Sequence, residues 1–239
     1  KVIGRTSSFQ FRGERKAEAA QSLHCSHLLD GSIRRSGERV RISAHLVEAD
    51  LCWQQSLFGS EPTAIDRTFG SLQRTELSAD SWVDYVPGWL TGSDQVFNAL
   101  AETLPFRQRE VVMYQRLLME PRLTWWWSTT AADPEPLSIL TQCRLALAGY
   151  YTKPFDSIGF NLYRDGRDSV AWHADRERKV LENPTVVILS TGSGRTFQLR
   201  PKGGGGSRSF HLGHGDLLVM GGACQHEFEH CVPKTARPV

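Results

Sequence analysis

The segment SVAWHADRE, residues 169–177, places a histidine and an aspartate two positions apart. In an extended strand the side chains at i and i+2 project to the same face, so His173 and Asp175 can bind one metal ion together. An imidazole and a carboxylate are two of the three groups that a non-haem iron(II) oxygenase needs. The same pair also occurs on ordinary exposed strand faces. A metal site therefore requires a second histidine from a distant strand.

The third ligand has four candidates downstream, which are His211, His214, His226 and His230. We favour His230, because it lies in the last predicted strand, where strands two and seven of a jelly roll would be adjacent. His226 is the runner-up, since an even offset within that strand would put it on the same face. Zinc is a competing metal, but its sites usually involve cysteine, and no cysteine is well spaced with His173.

Composition limits the classes of protein to which such a site can belong. The formal net charge of +2 is too small to identify a nucleic-acid binder, although it does not oppose one. The five cysteines form no C-x-x-C pair, which indicates a reducing compartment. Apolar runs fall short of the roughly 18 residues that span a bilayer. We expect an intracellular, cytoplasmic or nuclear protein that does not bind membranes and is a monomer.

The composition and apolar periodicity of the sequence change near Ser78. Residues 1–77 are rich in Arg, Ser, Gln and Gly and lack a sustained apolar period, which predicts a poorly ordered N-terminal extension. The folded domain is predicted over residues 78–239. It starts with a helix in TGSDQVFNALAETLPF, with Thr91 or Ser93 as its cap, and a second helix is predicted from Pro136 to Gly149.

Short strands separated by turn residues follow the second helix. They are SIGFNLY, SVAWHAD, TVVILSTG, RTFQLRP, SRSFHLGHG, DLLVMGG and CQHEFEHCV. Short strands after two helices predict an α+β fold, an antiparallel sandwich or jelly roll with helices packed on one face. The space between the two sheets of such a fold can hold a buried metal ion.

Four motifs carry a resemblance to a known family. They are EPRLTWWW (120–127), NLYRDGRDSVAWHADRE (161–177), RTFQLRPK (195–202) and HGDLLVMGGACQHEFEHCVPK (214–234). Together they resemble the AlkB family of iron(II)- and 2-oxoglutarate-dependent dioxygenases, and most closely the branch that repairs alkylated bases in single-stranded nucleic acid. The resemblance covers residues 78–239 and implies a double-stranded β-helix, the jelly roll of this family.

The resemblance implies a role for individual positions of this chain. His173, Asp175 and His230 match the iron ligands, and Asn161 and Tyr163 match the residues that hydrogen-bond 2-oxoglutarate.

The resemblance also implies residues near the substrate. Glu177 matches an acidic residue of the base pocket, and Arg122 matches an arginine near the substrate. Trp127 stands where relatives carry an aromatic residue, although Trp125 to Trp127 could all serve as stacking platforms or as core. Further arginines that could meet phosphates are Arg107, Arg109 and Arg116.

The implied activity is oxidative demethylation of bases such as 1-methyladenine or 3-methylcytosine in alkylated DNA or RNA, preferably single-stranded. The implied cofactors are iron(II), 2-oxoglutarate and dioxygen. Two alternatives stay open at this point. One is a dioxygenase that acts on protein or small molecules, and the other is a non-catalytic nucleic-acid-binding relative.

One family feature is missing from the sequence. The family carries an R-x-N-x-T-x-R strand after the distal histidine, whose arginines bind the carboxylates of 2-oxoglutarate. This chain ends at KTARPV, before such a strand, and Arg237 is too close to His230 to replace those arginines. We therefore expect a domain that lacks its C-terminal strand, binds 2-oxoglutarate weakly and gives little or no turnover by itself.

Overall fold

The computed structural model describes the backbone of residues 27–36, 39–48, 62–113, 116–175 and 182–236. The chain forms two compact units, one within residues 1–58 and the other within residues 59–237. In the first unit, strand β1 (His27–Ser36) pairs antiparallel with strand β2 (Arg39–Glu48). The second unit contains all the residues that the sequence predicts for the site.

Short strands make up most of the second unit. They are β3 (Ala64–Ile65), β4 (Gln73–Glu76), β5 (Ser81–Val86), β6 (Leu90–Thr91), β7 (Glu110–Met113), β8 (Arg116–Met119), β9 (Leu123–Ser128), β10 (Ser157–Leu162), β11 (Val170–His173), β12 (Val186–Leu189), β13 (Arg195–Pro201), β14 (Arg208–Leu212), β15 (Leu217–Gly222) and β16 (Phe228–Val232). The helices are α1 (Ser93–Thr103), α2 (Ser138–Tyr151) and the four-residue α3 (Cys224–Glu227). None of the helices in the described ranges is long and apolar enough to cross a membrane.

Strands β1 to β4 fall within residues 1–77, where the sequence predicts an extension of low order. Strand β4 pairs with β5, from Gln73 opposite Tyr85 to Glu76 opposite Trp82. The domain boundary at Ser78 stays a prediction, and residues 1–26 and 49–61 lie outside the described part of the chain.

Two four-stranded antiparallel sheets lie at the centre of the second unit, as far as its described residues go. The helix-side sheet has the strand order β12-β15-β5-β4, and the outer sheet has the order β11-β16-β13-β14. Most neighbouring strands in these sheets are distant in sequence. Two antiparallel sheets with such connections are the arrangement that the sequence predicts for a jelly roll.

The side chains of the helix-side sheet alternate between its two faces. Leu218 and Met220 of β15 pack with Leu199 of the outer sheet, in the core between the sheets. Leu217 and Val219 of the same strand belong to the core on the opposite face, with residues of α1 and α2. The layers are therefore helices, helix-side sheet and outer sheet, and the inner face of the outer sheet is covered.

Helix α1 packs on the helix-side sheet through the apolar positions that its sequence predicts. Val96 is buried and Leu100 packs against the same core. The predicted caps Thr91 and Ser93 are wrong, because the cap is Gly92 in the left-handed region at φ 59, without a side-chain capping bond. A glycine adopts this backbone conformation without the strain that a side chain causes there.

The predicted end of α2 at Gly149 is also wrong, because the helix continues to Tyr151. Tertiary contacts hold this last turn. The ring of Tyr150 stacks on Phe69 with centroids 4.0 Å apart, and the Tyr151 hydroxyl donates to Asp84 over 2.9 Å. These contacts outweigh the free-energy cost of placing a glycine in a helix, which is about 1 kcal/mol relative to alanine.

The core between the sheets yields a stability prediction. Leu199 is 2% exposed and lies directly opposite His230, so Leu199→Ala leaves a cavity beside that histidine. We expect the free energy of unfolding, measured with urea, to fall by about 2–5 kcal/mol. The matched control is Leu145→Ala on α2, where the side chain is 62% exposed and the loss should stay below about 0.5 kcal/mol. Equal losses in both variants would contradict the assigned core.

Candidate metal centre

Strands β11 and β16 bring two histidines and one aspartate together. The strands pair antiparallel with His173 directly opposite His230, so the two side chains share the inner face of the outer sheet. Asp175 follows just beyond β11. Its carboxylate oxygens lie 3.7 Å from His173 Nε2 and 3.8 Å from His230 Nε2. One ligand atom from each of the three residues lies within 4.8 Å of the others, so the group could hold a metal ion.

His230 is the buried member of this group. It is 6% exposed, and its ring stacks on Phe197 with centroids 5.2 Å apart. Burial disfavours the charged imidazolium and lowers the pKa of His230 to about 4, although the nearby Asp175 carboxylate opposes the shift. At neutral pH the ring is therefore uncharged and has a nitrogen lone pair available for a metal ion.

His173 has its second ring nitrogen engaged. Its Nδ1 lies 2.9 Å from the carbonyl oxygen of Ala171, which can only accept a hydrogen bond, so this contact favours a proton on Nδ1. Nε2, which faces Asp175, is then free to act as a ligand atom. The side chains of His173 and Asp175 are 37% and 39% exposed, so this side of the group is open to solvent.

Gln225 holds the backbone at Asp175. The amide oxygen Oε1 of Gln225 accepts a hydrogen bond from the Asp175 backbone N–H over 3.0 Å. Gln225 is 4% exposed and lies in α3, and its own Nε2 contacts the sulfur of Met220. The backbone carbonyl oxygen of Gln225 accepts a hydrogen bond from the Lys202 ammonium over 2.9 Å. The hydrogen bond from Gln225 in α3 therefore fixes the backbone position of Asp175, just beyond the end of β11.

The other candidate histidines make different contacts. His226 lies in α3 rather than in strand β16, so the predicted shared strand face with His230 is wrong, and its Nε2 lies 3.1 Å from the Glu182 carbonyl oxygen. His214 accepts the Gly192 N–H over 2.7 Å and its Nε2 lies 3.1 Å from Asp94. Among the described residues, only His173, Asp175 and His230 form a group that could hold a metal ion.

Strands β9 and β10 form an antiparallel ribbon with two different faces. The core face packs into the core between the helix-side sheet and helices α1 and α2, which we call the helix-side core. This face consists of Trp125, Trp127, Ile158 and Phe160. The open face consists of Thr124, Trp126, Gly159 and Asn161. Asn161 is exposed and lies directly opposite Thr124.

Tyr163 and Arg122 stand at one end of this ribbon, next to the Leu162–Leu123 pair. Burial raises the pKa of Tyr163, while the guanidinium groups of Arg122 and Arg195 oppose the shift. Burial is the main cause of the lowered pKa of His230, and the charge of Arg122 contributes to it in the same direction.

Buried polar atoms at this end have no hydrogen-bond partner within the described ranges. They are Nε of Arg122 and Oε2 of Glu120, although the two side chains approach each other to 3.7 Å through other atoms. An unsatisfied buried polar atom costs free energy, and a bound polar ligand would satisfy it. The pair therefore fits a site that binds a polar small molecule or substrate group.

Arg195 packs against the ring of Tyr163. Its guanidinium carbon lies 5.0 Å from the ring centroid of Tyr163. The same guanidinium donates to the carbonyl oxygens of Asp165, Asp168 and Pro233. Arg195 therefore connects the segment between β10 and β11 with the segment that follows β16. The motif RTFQLRP contains this arginine, but its spacing gives no sign that it contacts Tyr163.

Trp127 does not share a ribbon face with Asn161. It is 6% exposed on the core face, its indole N–H donates to the Asp133 carbonyl oxygen over 3.0 Å, and Arg144 lies over its ring. Its substrate role stays a prediction. Glu177, the predicted base-pocket residue, lies outside the described residues.

The arrangement defines a class of protein. Over residues 85–239, the sequence matches the model of a family described as the 2OG-Fe(II) oxygenase superfamily. This match covers more than half of the chain, and two imidazoles with one carboxylate between antiparallel sheets suit iron(II). The chain belongs to this superfamily.

Curated relatives narrow the family further. The chain is 32% identical to mouse alpha-ketoglutarate-dependent dioxygenase alkB homolog 3, in an alignment that covers 73% of this chain and 68% of that protein. The human protein of the same name is 31% identical with the same coverage. The chain is also 34% identical to the DNA oxidative demethylase ALKBH2 of Arabidopsis thaliana, over 35% of this chain and 34% of that protein.

The chain is therefore a member of the AlkB family and an iron(II)- and 2-oxoglutarate-dependent dioxygenase. Its cofactors are iron(II) and 2-oxoglutarate, and dioxygen is its oxidant.

The contact between Gln225 and Asp175 yields a prediction. Gln225→Leu removes the acceptor of the Asp175 N–H, so the carboxylate loses part of its orientation. We expect the affinity for cobalt(II) or anaerobic iron(II), measured by calorimetry, to fall about tenfold. The matched control is His226→Ala in the same short helix, which should keep the affinity. An unchanged affinity in Gln225→Leu would contradict the orienting role.

Proposed function

We propose that this chain is an oxidative demethylase of N-alkylated nucleic-acid bases, of the 1-methyladenine and 3-methylcytosine type, in DNA or RNA. The proposal includes His173, Asp175 and His230 as the iron ligands. The observation that carries it is this group, in which one ligand atom from each residue lies within 4.8 Å of the others, in a chain of the AlkB family. The name of the Arabidopsis relative, a DNA oxidative demethylase, supports the reaction type.

The three ligands have separate tasks in this proposal. His230 anchors the ion from the buried side with a neutral ring, because burial keeps its pKa low. His173 presents Nε2 while Nδ1 binds the Ala171 carbonyl. Asp175 supplies the negative charge, and Gln225 orients its backbone. Three protein ligands on one face of the ion would leave coordination positions on its opposite face for other molecules.

Asn161 and Tyr163 bind 2-oxoglutarate in this proposal. The Asn161 amide is exposed on the open face of the ribbon, where it can donate to a carboxylate. The raised pKa of Tyr163 keeps its hydroxyl protonated, so that it also acts as a donor. The guanidinium of Arg195 lies over the Tyr163 ring and supports its position. Iron(II) with 2-oxoglutarate and dioxygen supplies the oxidising power, with succinate and carbon dioxide as products.

Substrate selectivity follows from charge. An N1-methylated adenine or N3-methylated cytosine is cationic, whereas the undamaged base is neutral. Glu177 is proposed to face the methylated base and to favour it by charge attraction. Arg122 is proposed to contact the substrate near His230, where its Nε needs a partner. The N-methyl group gains one oxygen atom and then leaves as formaldehyde, which restores the base.

Single-stranded alkylated DNA or RNA is the proposed substrate form, since a base must leave its stack to reach a buried group. We also propose that the chain works where such nucleic acid is present, in the nucleus or the cytoplasm.

The direct test is turnover. This chain and a version extended by the family's R-x-N-x-T-x-R strand are loaded with iron(II) without oxygen and then mixed with excess 2-oxoglutarate, air and a single-stranded oligonucleotide that contains one 1-methyladenine. We expect succinate, formaldehyde and unmethylated oligonucleotide in equal amounts from the extended chain, because its added arginines bind 2-oxoglutarate. Asp175→Ala should abolish iron binding and all three products while the circular dichroism spectrum stays unchanged. His226→Ala is the matched control and should retain turnover.

Several outcomes contradict the proposal in different ways. Iron bound with full affinity by Asp175→Ala would remove the ligand assignment. Succinate without demethylation, whatever the methylated nucleic acid, would indicate a dioxygenase for protein or small molecules. Iron binding without any succinate from either chain would indicate the non-catalytic relative.

A second variant tests the charge argument. Glu177→Gln keeps the size of the side chain and removes its charge, so the attraction for a cationic base is lost. We expect the ratio of affinities for methylated over unmethylated oligonucleotide to fall about fivefold, measured by fluorescence anisotropy. Glu182→Gln is the matched control and should keep the ratio. An unchanged ratio in Glu177→Gln would exclude it from the base pocket.

A further inference from the structure

The segment LTWWWS contains three consecutive tryptophans, and the structure gives them different environments. Trp125 and Trp127 belong to the core face of the β9–β10 ribbon, where Trp125 packs on Phe160 with centroids 5.4 Å apart. Trp126 projects from the open face and is 66% exposed. Exposing a large indole requires an explanation, because its burial would stabilise the fold.

The open face supports the Trp126 ring directly. Gly159 lies opposite Trp126, and a Cβ atom at Gly159 would stand only 2.9 Å from Cζ3 of the indole. The ring therefore lies against the bare backbone at Gly159 while most of its surface stays exposed. Asn161, the proposed 2-oxoglutarate ligand, is on the same face two residues further along β10.

A positive charge is present on the same face. Arg107 pairs with Thr124 through two backbone hydrogen bonds, of 3.1 and 2.9 Å, on the edge of β9 away from β10. Its neighbour Phe106 packs into the helix-side core, so the exposed Arg107 side chain lies on the open side. An exposed indole and an exposed guanidinium on one face combine the two groups that bind unpaired nucleic acid, which are a stacking surface and a phosphate partner.

We infer that Trp126 stacks on an unpaired base that flanks the target nucleotide, while Arg107 binds the adjacent phosphate. This inference rests on the proposed function, because it takes single-stranded nucleic acid as the substrate. The target base must reach the ion held by His173, Asp175 and His230, and the proposed 2-oxoglutarate ligand Asn161 marks the part of the open face nearest that ion, whereas Trp126 stands two register positions beyond the Asn161–Thr124 pair and is open to solvent. The flanking base is therefore the one that contacts this indole.

The first test is binding of a fluorescein-labelled, unmethylated oligothymidine, followed by anisotropy at fixed salt. Trp126→Ala should weaken binding about tenfold, and Trp126→Phe should restore most of the affinity because it restores an aromatic face. Gly159→Ala should also weaken binding, since its Cβ displaces the indole without removing it. Leu145→Ala removes an equally exposed apolar side chain from α2 and should leave the affinity unchanged.

The second test separates a flanking base from the target base. In Trp126→Ala, kcat/KM for a methylated oligonucleotide should fall about tenfold more than kcat/KM for 1-methyladenosine, which has no flanking base. Equal losses on both substrates would overturn the inference and assign Trp126 to the target base or to the fold. Melting temperatures of all variants identify a structural loss.

The two tests keep the inference apart from the proposed function. If the wild-type chain binds oligothymidine but demethylates nothing, the proposed function fails, and the anisotropy comparison still decides the role of Trp126. Oligothymidine affinity that is equal in Trp126→Ala and wild type overturns the inference whatever the turnover. No oligothymidine binding by the wild-type chain overturns it as well, and the open face would then be a candidate surface for a protein partner.

Discussion

The metal-binding group depends on the register between β11 and β16. Val170 lies opposite Val232 and His173 lies opposite His230, so three steps along β11 match two steps along β16. A regular antiparallel pair would instead place Trp172 opposite His230, and the histidine would then point to the other face of the sheet. The irregularity between Val170 and His173 therefore has a definite effect. It adds one residue to one strand and turns the side chain of His173 inward.

Contacts on both faces of the outer sheet fix this register. On the outside, the guanidinium of Arg200 lies 4.0 Å over the ring of Trp172 and donates to Glu229 over 2.6 Å, so it connects β11, β13 and β16. On the inside, Phe197 and Leu199 of β13 are buried next to His230. A shifted register would expose apolar side chains and separate this cation from its partners. The position of His173 is thus secured by residues that do not touch it.

The sequence predicts parts of this arrangement and leaves others hidden for physical reasons. The i, i+2 spacing predicts His173 and Asp175 on one side, and jelly-roll topology predicts the last strand beside them, but neither predicts the irregularity that turns His173 inward or that Asp175 lies just beyond β11. The choice between His226 and His230 depends on the helical turn over residues 224–227. The sequence predicts a single strand over CQHEFEHCV and therefore does not reveal this turn. Gln225 has no signal at all, because its contact with Asp175 joins residues that are 50 positions apart.

The run of tryptophans illustrates the same limit in a way that bears on function. The family resemblance indicates Trp127 as the aromatic residue near the substrate. Which indole is buried depends on the face of the ribbon that each tryptophan occupies, and this depends on where the strand begins. With Trp125 and Trp127 in the core, Trp126 is the indole that shares a face with Asn161. His230 lies on the buried side of the metal-binding group, whereas the side chain of Asp175 is 39% exposed. The approach to the proposed iron therefore lies on the solvent side, where stacking and charge can guide a single strand toward it.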